Sequence, residues 1–226
     1  MELEQVRTRV APAALAHERT LPVLPELTDL FPENGLVRGR VLSCTGPAAT
    51  SLALAVSAAA MEAGSWMAVV DVPTLGLDAA VELGVPLHRM VRVASGDWAS
   101  TVAAALDGFD LVVTTVPRGL RRAATTMLSS RIRQRGAVVI ALGATEELAC
   151  DGILRTEEPV WEGLGVGHGR LYRRHVAVRS GGRRAPVERG VRCSLPGVRG
   201  RLQAGESGPG ELRCDESQVA RLTLVS

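Results

Sequence analysis

With 226 residues, 46% of them hydrophobic and 22% charged, the chain can build one α/β domain with appendages but not two ordinary domains with complete cores. Its formal net charge of +2 argues by itself for no polyanionic partner, and all 26 basic residues are arginine, which excludes Schiff-base chemistry and the phosphate-binding lysine of an ordinary P-loop. The longest apolar run, residues 52–61, is half of the roughly 20 residues a bilayer-spanning helix needs, and the acidic N-terminus lacks the apolar core of a secretory signal, so a cytoplasmic protein with no membrane segment is expected.

Residues 1–30, with Pro12, Pro22 and Pro25, read as a short helix and an extended lead-in. The core is expected over 31–158, opening with a strand at 37–44, a turn at 45–49 and an Ala/Leu helix over 50–63 that Gly64 ends. A buried strand at 66–70 stops at Asp71, a short helix follows at 77–83, and 90–93 is a weaker strand. A helix over 98–106 precedes the continuous apolar run at 109–116, the pattern of a parallel strand covered on both faces. A further helix over 120–134, broken at Gly136, leads into a strand at 137–142. This alternation predicts right-handed crossovers and a mostly parallel sheet with helices on both faces. After Gly143 the helical pattern stops; 159–195 is expected as an arginine-rich, antiparallel β extension and 196–226 as a disordered tail, too polar and glycine-rich to order itself. Cys44, Cys150, Cys193 and Cys214 are widely spaced and read as reduced thiols, with no metal site and no cofactor signalled.

The stretch GRVLSCTGPAATSLALAVSAAAMEAGSWMAVVD has the order of a P-loop unit: strand, Gly-Pro turn, helix, glycine, strand ending in Asp. It resembles the ATPase core of RecA-type recombinases, with Gly46 and Pro47 standing where that family's phosphate loop begins. A working loop needs G-x-x-x-x-G-K-[ST], because its glycines let backbone N–H groups face the phosphates and its lysine neutralises them. Here the turn is about three residues shorter and has neither the second glycine nor the lysine. Thr50 or Ser51 holds the hydroxyl position, with a helix N-cap as the plainer role. The strand that resembles Walker B ends in Thr115 where a carboxylate is needed for hydrated Mg²⁺, and Pro73 stands at the catalytic-carboxylate position. If each lost group contributed ~3 kcal/mol, two losses would slow turnover roughly 10⁴-fold, so the expectation is a degenerate RecA-like domain without ATPase activity. Asp71 and Asp78, the nearest carboxylates, read as turn formers.

Two basic stretches follow. Residues 118–135 carry Arg118, Arg121, Arg122, Arg131, Arg133 and Arg135 without an acid, read either as a phosphate-contacting surface or as a solvated amphipathic helix. Residues 161–201 hold ten arginines, among them Arg170, Arg173, Arg174, Arg183 and Arg184, against Glu162 and Glu188, a face for single-stranded DNA or an acidic protein segment. Trp161 and Tyr172 are the aromatics nearby; His168 and His175 read as isolated.

Taken in order, LPVLPELTDLFP, GPAATSLALA, AGSWMAVVD, GLDAAVELGV, GFDLVV and WEGLGVGHGRLYRR resemble the ImuA family, in its short actinobacterial form, over roughly residues 31–180. The resemblance implies a damage-inducible, non-catalytic accessory factor of mutagenic translesion synthesis. Its implied partners are an ImuB-like Y-family polymerase homologue and an error-prone C-family polymerase, with single-stranded DNA and self-association as further candidates, and its implied place is the nucleoid after damage. Partner contact is expected within residues 170–226. Two other readings stay open: a cell-division inhibitor of the SulA type, and a DNA-stimulated ATPase or recombinase with an unconventional loop.

Overall fold

The computed structural model describes residues 19–164, 169–183, 185–197 and 201–205. The helix expected near the N-terminus, His168, Arg184 and most of the expected tail lie outside these residues. The lead-in forms β1 (Thr20–Leu21), a 3-10 turn at Pro25–Leu30 and β2 (Leu36–Val37), with β1 and β2 antiparallel. Leu27 and Leu30 on that turn are fully buried, so the lead-in is part of the core rather than an appendage. The strand expected at 37–44 is two strands, because Gly39 turns the chain at φ +76° and its α-carbon lies so close to the helix behind it that a Cβ there would sit 3.3 Å from the Arg133 Cα.

From that turn the predicted alternation is present: β3 (Val41–Thr45), α1 (Ala49–Glu62), β4 (Met67–Val70), α2 (Leu77–Glu82), β5 (Met90–Val93), α3 (Trp98–Gly108), β6 (Leu111–Thr115), α4 (Arg122–Arg135) and β7 (Val138–Leu142). The last four strands are β8 (Gly152–Leu164), β9 (Gly169–Gly182), β10 (Ala185–Ser194) and β11 (Gln203–Ala204). Together they form one nine-stranded sheet in the order β11-β10-β9-β8-β3-β7-β6-β4-β5. The pairings from β8 through β5 are parallel, and β9, β10 and β11 add antiparallel.

Strand periodicity sends alternate residues to opposite faces. On one face Leu42, Cys44, Met67, Val69, Leu111 and Val113 pack with α1, the lead-in turn and the C-terminal strands; on the other Val41, Ala68, Val70, Val112 and Val139 pack with α3 and α4. Helix α1 is apolar almost all round, as a helix inside a core must be, and its one buried hydroxyl, Ser57, donates back to the Ala53 carbonyl at 2.8 Å. Helix α3 is capped by Asp97, whose carboxylate accepts the Ser100 N–H at 2.9 Å, and Gly136 ends α4 in the left-handed region at φ +70°.

Two expectations need correction. The domain boundary drawn at residue 158 falls inside β8, which begins as a sixth parallel strand beside β3 and only later pairs with β9. Of the tail expected from residue 196, the described residues 201–205 pack on the sheet: Leu202 is buried in the core and Gln203 pairs with Ser194, one well-placed leucine anchoring a polar segment. Core position also governs the thiols. Burial pushes Cys44 up to about 12 and Cys193 up to about 11, the latter with help from Glu26, and both are free thiols. Iodoacetamide at pH 8 should therefore leave Cys44 and Cys193 unmodified in the native protein and label both in denaturant, as read by peptide mapping; native labelling of either would contradict this packing.

Candidate functional site

The turn from Thr45 to Ala48 lies at the carboxyl edge of the parallel strands. The crossover from β3 runs towards β4 on one side, and that from β7 runs to β8 on the other. Such a switch point opens the crevice where open α/β sheets bind ligands. Here the crevice is filled by the chain itself. Gly46 has φ +91°, and a Cβ on it would lie 2.1 Å from the Thr156 carbonyl oxygen, so β8 presses directly on the turn. Thr156, 1% exposed, accepts a hydrogen bond from the Ala48 N–H through Oγ1 at 3.0 Å and donates through the same atom to the Thr45 carbonyl at 3.1 Å. A backbone amide that a phosphate cradle would direct outward is thereby satisfied inside the protein.

A second group covers the N-terminus of α1. Beyond Arg155 the β8–β9 ribbon continues past the end of β3, and it carries Arg174 back over the turn. The Arg174 guanidinium donates to Ser51 Oγ at 3.0 Å, to the Pro47 carbonyl at 3.4 Å and to the Leu195 carbonyl at 2.7 Å, and stacks 5.0 Å from the Trp161 ring centroid. Burial holds its pKa below the usual arginine value. Thr50 and Ser51 are not the helix N-cap expected from their position: α1 begins at Ala49, its N-cap is Ala48, and neither hydroxyl caps it. Thr115 is exposed at the end of β6, and Trp98 Nε1 instead donates to its buried neighbour Thr114 at 2.8 Å. Pro73 is exposed beyond β4, three strands or about 14 Å from β3. Asp71, at φ +53°, spends both carboxylate oxygens on the Ser95 N–H and hydroxyl and so acts as a turn former. Among the described residues no group of three or more metal-ligating side chains converges.

The basic stretches divide in space. Arg118, Arg121 and Arg122 stand exposed at the carboxyl edge, whereas Arg131 and Arg135 pair with Asp107 of α3 at the other end of α4, and the Arg131 hydrogen bond holds the Asp107 carboxyl below its usual range. The 161–201 stretch is not one basic face. Arg170, Arg173 and Arg174 sit near the ribbon tip, Arg183 lies at the opposite, amino edge of the strands, and Arg184 is outside the described residues. Much of the charge is also spent across the strands: Arg173 pairs with Glu162, Arg179 with Glu157 and Glu188, and Arg192 with Glu158. Counting acids between 161 and 201 missed Glu157 and Glu158, which antiparallel pairing brings in from upstream.

His175 is not isolated either. Its Nε2 lies 2.7 Å from Glu162 Oε1 and its Nδ1 3.1 Å from Ser194 Oγ. The order Ser–His–Glu has the form of a nucleophile relay, yet Ser194, the last residue of β10, is buried beside Gln203 of β11 and its hydroxyl is hydrogen-bonded to His175 inside the sheet. It is a cross-strand polar ladder. Neither this ladder nor the Thr156 and Arg174 contacts had a sequence signal, since each joins residues from elements far apart in the chain.

The parallel sheet with its filled switch point and antiparallel extension is a RecA-like fold. The crystal structure of the RadB recombinase aligns with 76% of this chain and 93% of its own at a TM-score of 0.54 and 19% identity, a likeness of fold. The chain belongs to the MT3502 N-terminal domain family, whose model matches residues 29–147, just over half of its length. It is also 36% identical over 95 residues to the uncharacterized protein Rv3395c of Mycobacterium tuberculosis (strain ATCC 25618 / H37Rv), a match covering 41% of this chain. The chain thus spans about half, 47%, of the curated relative it matches. Among the described residues no helix is long and apolar enough to cross a membrane.

Proposed function

We propose that the protein is a non-catalytic, RecA-like accessory factor of damage-induced mutagenic translesion synthesis. It assembles with an ImuB-like Y-family polymerase homologue and an error-prone C-family polymerase, in the cytoplasm and on the nucleoid after damage. The observation that carries the non-catalytic part is the closure of the Gly46 turn by Thr156 and Arg174: the space and the donors that nucleotide phosphates would need are occupied by protein atoms. A fold that keeps its core and gives up this crevice acts through its surfaces. The polymerase partners rest on the resemblance of the ordered motifs to the ImuA family. The exposed Trp161 and Tyr172 beside Arg170 at the ribbon tip make a partner contact, with aromatic and arginine side chains of the kind that anchor interfaces.

A tagged copy recovered from cells of the source organism after DNA damage tests the reading, with co-purifying proteins identified and the purified protein assayed for ATP hydrolysis with and without single-stranded DNA. Polymerase subunits without hydrolysis are expected. Recovery of the tubulin-like division protein, or DNA-stimulated hydrolysis, would replace this reading with one of its rivals.

A further inference from the structure

The amino edge of the sheet carries two adjoining concavities that the proposed function does not use. The larger, about 490 Å³, is lined by Arg19, Arg38, Arg40, Arg133 and Arg183 against one carboxylate, Asp151. The smaller, about 60 Å³, is mostly apolar, walled by residues such as Leu30, Phe31, Leu36 and Ile153, with Glu33, whose carboxylate is taken by Arg40, and Ser180 also in its lining. They share Val37, Arg40, Val41 and Asp151, so one ligand can enter both.

The charge has a structural origin. The turn at Gly39 packs on the last turn of α4, which brings the arginines before β3 beside Arg133, while the end of β9 delivers Arg183 from the other side. Arg38 is held by Asp110 at 2.9 Å and Arg40 by Glu33 at 2.7 Å, whereas Arg19 and Arg133 make no ion pair among the described residues. In the small pocket Ser180 is 4% exposed and its Oγ has no hydrogen-bond partner, an orphan that a bound polar group would satisfy.

We infer that this double concavity is a docking site for a partner peptide segment in which carboxylates flank one small aliphatic side chain. Guanidinium forks suit carboxylates in the groove, the aliphatic side chain fits the pocket, and a peptide backbone or side-chain polar group reaches Ser180. Among the described residues the larger groove has no aromatic ring on which a nucleic-acid base could stack, Phe31 in the smaller pocket is only 7% exposed, and a phosphodiester chain has no use for the apolar pocket. Charge complementarity and the adjoining pocket together favour the peptide. The inference goes beyond the proposed assembly role, because this edge lies at the opposite end of the strands from Trp161 and Arg170, and it stands whether or not the polymerases bind.

The test is selection of a phage-displayed random dodecapeptide library on the full-length protein, followed by fluorescence anisotropy of the labelled consensus peptide. Enriched peptides should carry acidic residues around a Val, Ile or Leu. Their affinity should fall by roughly 30-fold in an Arg19→Glu/Arg133→Glu double variant and by about 5-fold when the aliphatic residue becomes serine. Arg19 and Arg133 are exposed, so the variant keeps its fold, which circular dichroism verifies. Failure to enrich acidic peptides, or equal affinity for the double variant, overturns the proposal. So does a labelled oligo-dT 20-mer that binds in an Arg19- and Arg133-dependent way where the peptides do not, since the groove then belongs to nucleic acid.

Discussion

Replacing Gly46 by alanine is expected to destabilise the protein by more than about 3 kcal/mol, enough to leave much of it unfolded given the 5–15 kcal/mol of a typical domain. Two costs add. At φ +91° any side chain is strained by roughly 1–2 kcal/mol, and the new Cβ would overlap the Thr156 carbonyl oxygen at 2.1 Å and Thr156 Oγ1 at 2.6 Å. That carbonyl is backbone of a central strand, so relief requires β8 to move away from β3 and break the Ala48–Thr156 hydrogen bond. Gly64→Ala is the control: its φ is +114°, but a Cβ there meets nothing within 4 Å, so only the conformational cost of about 1–2 kcal/mol remains. Urea melts of the two variants decide. If Gly46→Ala were no worse than Gly64→Ala, β8 would not press on the turn and the crevice would be open.

Deleting residues 169–226 is the second large effect, and it is expected to abolish folding rather than remove a partner site. Val176, Val178, Cys193 and Leu195 lie in the same buried cluster as Leu27, Leu30, Leu42 and Leu54. Each buried aliphatic side chain contributes roughly 1.5–3 kcal/mol, so their loss alone approaches the whole stability of a domain. β8 would also lose its antiparallel neighbour along most of its length. Circular dichroism and size-exclusion chromatography should show an aggregated or unfolded chain; a cooperative thermal transition in the truncated protein would show that the C-terminal strands are dispensable. Partner contacts in 170–226 are therefore to be mapped with point substitutions at the ribbon tip, such as Arg170→Glu or Tyr172→Ala, both exposed.

The α/β core was legible because its strands are short apolar runs and its helix ends carry glycine. The run at 109–116 became β6, the run at 137–142 became β7, and Gly136 ended α4 as expected. The lead-in was misjudged because Leu27 and Leu30 are separated by polar residues, and only the packing of a 3-10 turn shows that both point inward. The candidate site was half legible: that the turn after β3 has no G-x-x-x-x-G-K pattern can be read along the chain, but the Thr156 and Arg174 contacts that cover it cannot.

Sequence alone determined the alternation of strands and helices, the lack of a G-x-x-x-x-G-K pattern at the Gly46 turn, and the absence of lysine. These are local properties, set by side-chain chemistry and hydrophobic period within a few residues. The tertiary structure decided the filling of the crevice, the division of the arginines between two edges and the Ser194–His175–Glu162 ladder. Ala48 meets Thr156 across 108 residues, and Ser51 meets Arg174 across 123. Contacts at such separation follow from strand order and register, which the burial of the whole sheet selects and no short window of residues encodes.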